Sequence, residues 1–293
     1  MSAMSTSVPT STPTLPDTLR LGAVHITVSD LERSIDFYER AIGLRLHGRD
    51  AGTAALGAGG EDVLVLVEQP GALPAGRHAG LYHFALLHPS RLELARAARR
   101  LAATRTPIDG ASDHEISEAI YLPDPDGNGI ELAADRPKEA WPDLSDPATY
   151  ANGPKPLDLY GLLELGGGEG VLEHADRDLK VGHVHLHVGD IERALGFYRD
   201  VVGFHVMTLF PGAAFVSAGG YHHHLGLNTW RGPGVGPAPA DRVGVRHWTV
   251  VLPREDLEAL RARAGRTGLP YEDRGDGLLL RDPWDIGLLV TGA

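Results

Sequence analysis

Between residues 181 and 190 the chain reads VGHVHLHVGD, with apolar and polar side chains at alternate positions. A period of two marks a strand with distinct faces, so Val184, Leu186 and Val188 share one face while His183, His185 and His187 share the other. Asp190 then suits a helix N-cap, and Ile191, Leu195, Tyr198 and Val202 follow at helical spacing toward Gly203. The stretch LGAVHITVSDLERSIDFYERAIGL (21–44) repeats this pattern and aligns with 181–204 without a gap. There Asp30 is the cap, and Leu31, Ile35, Tyr38 and Ile42 form the apolar stripe.

Two fainter copies complete the repeat. GLYHFALL (80–87) precedes a helix expected near 90–104 and the run IYLPDPDGNGIELAAD; VRHWTVVL (245–252) precedes a helix expected near 254–267 and GLLLRDPWDIGLLVTG. The strand-like runs EDVLVLVEQ, AAFVSAGG and YHHHLGLNTW fill the remaining places. The expected fold is α+β, with four βαβββ modules near 20–70, 79–136, 179–230 and 244–293. Residues 1–18 read as a disordered leader, 19–136 as a first domain of two modules, 137–178 as a linker and 179–293 as a second domain.

Composition narrows the chemistry. The net charge of −12 argues against nucleic acid or an anionic membrane as partner. With no cysteine in the 293 residues, disulfides and thiolate chemistry are excluded, and any metal must sit on His, Asp or Glu. The leader lacks a basic and an apolar region of signal-peptide type, so a cytoplasmic location is expected. For any single histidine of the 181–190 row, a solvent-facing edge is the competing explanation.

Four such modules, with GLYHFALL, DHEISEAIYLPDPDGNGIEL, VGHVHLHVGD and GGYHHHLGLNTW as the most specific stretches, resemble the vicinal oxygen chelate superfamily. The resemblance is strongest to its two-domain extradiol ring-cleaving dioxygenases of the catechol 2,3-dioxygenase type. It implies modules paired into two open β-barrels and one divalent metal held by a 2-His-1-carboxylate face. In that family the ligand histidine stands seven residues before the capping Asp, a position that falls on His183, His83 and His247 but on Ala23 in the first module. The carboxylate falls on Glu131, whereas the fourth module has Leu289 in its place. Only module 2 with module 3 then yields a full set of His83, Glu131 and His183; hydroquinone-cleaving relatives are similar in joining modules 1 with 4 and 2 with 3.

The resemblance also implies an acid/base histidine, with His223 the best match, although strand parity sets His222 and His224 against His223 and leaves the inward face open. Tyr121, ten residues before Glu131, matches a tyrosine that binds a substrate oxygen, and a core aromatic is its alternative reading. His114 resembles a substrate-side histidine at slightly short spacing. His185 is a neighbour of the site, His187 a solvated bystander, and His247 either a vestige or a hydrogen-bonded core residue. His47, His78, His88, His174 and His205 are expected at the surface. The implied activity is Fe(II)-dependent, with Mn(II) as substitute, and inserts O2 into a catechol-like or hydroquinone-like ring beside a hydroxyl; a homo-oligomer is the expected assembly. Glyoxalase-type isomerases or transferases, which present two acids to the metal, and metal-free bleomycin-resistance-like binding proteins are the alternatives.

Overall fold

The computed structural model describes residues 14–143, 153–168 and 170–293, so most of the expected leader lies outside the described residues. At its end, Leu15 is buried and its N–H donates to the Gly203 carbonyl at 2.9 Å.

Each module realises the expected strand, helix and three strands. The first comprises β1 (Arg20–Val28), α1 (Leu31–Phe37), β2 (Arg45–Asp50), β3 (Thr53–Gly57) and β4 (Asp62–Glu68). The second comprises β5 (Gly80–His88), α2 (Arg91–Thr104), β6 (Gly110–Asp113), β7 (Ser117–Pro123) and β8 (Gly129–Asp135). Between the halves lie the short β9 (Lys155–Pro156) and α3 (Leu159–Leu165). The third comprises β10 (Lys180–His187), α4 (Ile191–Phe197), β11 (His205–Phe210), β12 (Ala213–Ser217) and β13 (Leu225–Asn228). The fourth comprises β14 (Gly244–Leu252), α5 (Arg254–Thr267), β15 (Tyr271–Asp273), β16 (Gly277–Arg281) and β17 (Gly287–Gly292).

Local chemistry explains these boundaries. The Asp30 and Asp190 carboxylates accept from the backbone N–H three residues on, at 3.0 and 2.7 Å, satisfying donors that the first helical turn leaves free. The helical stripes do not continue as α-helix: Tyr38–Ile42 and Tyr198–Val202 are π-helical turns, closed by Gly43 and Gly203 in the left-handed region. Each turn supplies a buried tyrosine whose hydroxyl donates to a turn aspartate of the next module, Tyr38 to Asp124 at 3.2 Å and Tyr198 to Asp282 at 3.0 Å.

Two mixed sheets result. One runs β15-β16-β17-β14-β1-β4-β3-β2 and joins modules 1 and 4; the other runs β11-β12-β13-β10-β5-β8-β7-β6-β9 and joins modules 2 and 3. The central β10 lies antiparallel to β5 with His185 opposite His83, while β5 lies parallel to β8 with Ala85 beside Glu131. On the apolar face of β10, Val184 and Leu186 are fully buried in the core, as is Val188 just beyond the strand. Its histidine face is buried as well, with His183, His185 and His187 at 4, 3 and 5% exposure, so the row is no solvent edge and His187 is no solvated bystander. His88, expected at the surface, is also buried, at the end of β5 with Arg100 of α2 close to it.

Candidate metal centre

Three side chains from three adjacent strands meet between β10, β5 and β8. Ala85 separates Glu131 and His183 across the sheet, and its small side chain leaves the space into which those two and His83 extend. His83 Nε2 lies 3.0 Å from Glu131 Oε2 and 3.2 Å from His183 Nε2, and His183 Nε2 lies 3.1 Å from the same oxygen. All three residues are buried. Among the described residues, this is the group of His and carboxylate side chains placed to hold a metal ion.

The triangle itself carries information. Ligands at ~2.1 Å from one ion stand ~3.0 Å apart when their bonds meet at right angles and ~3.4 Å apart in a tetrahedron. Sides of 3.0 to 3.2 Å therefore suit one face of an octahedron. A single proton can bridge only two of the three atoms, whereas a divalent cation satisfies all of them. Burial alone would raise the Glu131 carboxyl, but the His183 and His83 rings outweigh it and hold it well below the usual range. Burial lowers His83, so its ring is neutral and offers a lone pair.

Around the triangle opens a cavity of about 610 Å3. Tyr121, opposite Glu131 on β7, lines it, and its hydroxyl is 2.7 Å from His114 Nε2. Burial and then the Glu131 charge push the Tyr121 phenol far up, so it stays protonated, while burial holds His114 down as a neutral ring. Tyr121 is thus a cavity residue rather than a core aromatic.

The three histidines of GGYHHHLGLNTW do not lie on a strand. Gly219 and Gly220, both with positive φ, turn the chain, and β13 begins only at Leu225, so the expected alternation does not apply there. His222 and His223 both reach the cavity, and the His223 ring lies 4.2 Å from that of His183. Burial, reinforced by the neighbouring rings, keeps His223 well below the ordinary histidine value. His224 turns away and accepts from the Ala218 N–H at 3.3 Å.

Asn228 went unnoticed in the sequence. Its Nδ2 donates to His185 Nε2 at 3.0 Å and its Oδ1 accepts from His187 Nδ1 at 2.7 Å, which fixes both rings. His185, lining the cavity beside His83, is thereby neutral and occupied. His247 lies elsewhere, stacked on His25 at 3.9 Å in the sheet of modules 1 and 4, next to a second cavity of about 480 Å3 that arginines line.

A family model for the glyoxalase/bleomycin resistance protein/dioxygenase superfamily matches residues 20–132 and 180–278. The chain belongs to that superfamily. It is 42% identical over 269 residues to a catechol-2,3-dioxygenase from Bacillus subtilis (strain 168), covering 90% of this chain and 93% of the relative. Among solved structures, a protein from Bacillus subtilis subsp. subtilis strain 168 superposes with a TM-score of 0.63 at 15% identity, covering 96% of this chain and 86% of that one. Glyoxalase I from Zea mays superposes with a TM-score of 0.57 at 16% identity, covering 94% and 92%. At such identities the two structures establish the fold alone. No helix among the described residues is long and apolar enough to cross a membrane.

Proposed function

We propose that the protein is an extradiol dioxygenase that inserts O2 into a catechol-like ring beside a hydroxyl, using Fe(II) held by His83, Glu131 and His183. The observation that carries this reading is the buried triangle of two imidazole nitrogens and one carboxylate oxygen, a donor set that would hold a ferrous ion and supply only three of its ligands. The catechol-2,3-dioxygenase activity of the Bacillus subtilis relative supports it. An isomerase of glyoxalase type would bring two acids to the metal; the triangle contains one.

When bound, the ferrous ion supplies redox chemistry and lowers the pKa of a coordinated hydroxyl. The chain's own groups would handle protons and orientation. His223 takes the proton of a substrate hydroxyl and later returns it. The Tyr121 hydroxyl, kept protonated, donates to a substrate oxygen while accepting from the Nε2–H of His114, which holds it in place from 2.7 Å. Burial of His83, Glu131 and His183 would keep these transfers apart from bulk water.

Reconstitution with Fe(II) under anaerobic conditions, followed by a panel of catechols and hydroquinones and then air, tests the reading. Ring opening extends conjugation and yields a yellow product. No colour from any diol, or full activity in His183→Ala, would refute it.

A further inference from the structure

Behind His223 a chain of hydrogen bonds runs to a carboxylate outside the metal group. His222 Nδ1 lies 2.8 Å from His223 Nδ1, and His222 Nε2 lies 3.1 Å from Asp135 Oδ1. The other Asp135 oxygen accepts from the Tyr221 hydroxyl at 2.8 Å. His222 is buried, and its ring packs against Trp141 at 5.2 Å. Trp141 is itself anchored, its Nε1 donating to the Arg136 carbonyl at 2.8 Å. Asp135 is thus held by two donors, and His222 is wedged between it and His223.

The proton positions follow from donor and acceptor arithmetic. An ionised carboxylate only accepts, so the His222 proton is on Nε2. A neutral His222 then presents a bare Nδ1, which accepts from an Nδ1–H of His223. A neutral His223 so bound has a bare Nε2, the atom of its ring left for the cavity that it lines.

We propose that Asp135 and His222 are positioning residues that lock His223 in its Nδ1–H form, with the lone pair of Nε2 kept for a substrate hydroxyl. The proposal rests on the function assigned above. In the proton transfer the substrate O–H bond breaks and an Nε2–H bond forms; His223 becomes an imidazolium whose Nδ1–H still donates to His222. The negative charge of Asp135, two rings away, favours that cation, and the proton returns along the same path.

The test has two readouts. Long-range proton–nitrogen NMR of the protein with 15N-labelled histidine, loaded with diamagnetic Zn(II) or metal-free should Zn(II) not bind, reports each tautomer. Expected are His222 as Nε2–H and His223 as Nδ1–H; a His223 ring in the Nε2–H form overturns the proposal. With Fe(II)-loaded protein and catechol, His222→Leu is expected to lower kcat tenfold or more, within the ~10²–10⁴-fold that a positioned base contributes, with little change in KM. His222→Gln can accept from His223 and donate to Asp135, so it is expected to recover most of the lost rate. Equal losses in the two variants, or none in His222→Leu, overturn the proposal. A wild-type protein that opens no diol refutes the assigned function, and the tautomers still decide the inference.

Discussion

The Nε2 atoms of His83 and His183 stand 3.2 Å apart, both against one oxygen of Glu131. A single proton can bridge only two of these three atoms, whereas a cation between them would satisfy all three. Metal binding should therefore stabilise the fold by linkage, by ~2.7 kcal/mol at a free metal concentration of 100 times Kd. For a chain of this size that is a rise of roughly 4–5 °C in Tm. Thermal melts of chelator-treated protein with and without Fe(II), Mn(II) or Zn(II) measure it. Glu131→Gln should abolish the shift; the absence of any shift in the wild type would contradict a metal site here.

A second metal should not bind. In the sheet of modules 1 and 4, His25 stands opposite His247 as His185 stands opposite His83. By that register Leu289, beside Thr249, takes the place of Glu131, beside Ala85, and Ala23 takes the place of His183. Burial holds His25 down to about 4 and His247 down to about 3, so both rings are neutral and simply stack. Metal analysis should find one ion per chain, and His247→Ala should leave that content unchanged.

What the sequence made legible follows from periodicity. Alternation along β10 and the caps at Asp30 and Asp190 located the modules, and the count back from Asp190 separated His183 from His185. That count needed a family resemblance, since alternation alone treats the three histidines alike. Parity failed at His222–His224 because two glycines with positive φ break the strand there. Asp135 and Asn228 escape notice for a different reason: each is an ordinary polar residue until the fold brings a histidine to it, from the loop before β13 to Asp135 and from the neighbouring β10 to Asn228. Parity did carry one unused signal, since Asp135 lies four residues beyond Glu131 and so shares its face of β8.

Gly226 offers a steric test of the cavity wall. It lies opposite His185, and a Cβ placed there would come within 2.8 Å of the imidazole ring. Since Asn228 already fixes that ring, Gly226→Ala must displace either His185 or the strand. The expected cost is ~1–3 kcal/mol of stability, in line with other overpacked interiors. Because His185 packs against His83, the KM for a diol should also rise. Urea denaturation and steady-state kinetics would reveal both effects; an unperturbed variant would mean that the wall yields.

Asp282 links the fold to pH. Burial pushes its carboxyl up to about 6, against the opposing effect of the Ile286 and Trp284 N–H groups and the Tyr198 hydroxyl that it accepts. The folded protein thus holds this proton more tightly than the unfolded chain, whose aspartates titrate near ~3.9. The resulting stability is fully present below pH ~4 and is lost as pH rises through about 6. Asn at this position keeps an acceptor for the two backbone N–H groups but has no proton to exchange. Relative to Asp282→Asn, the wild type should therefore gain roughly 1 kcal/mol on going from pH 7.5 to pH 5. Urea titrations of the pair at the two pH values measure that difference directly, and a gap that stays constant or widens in the opposite direction would show that Asp282 is ionised throughout.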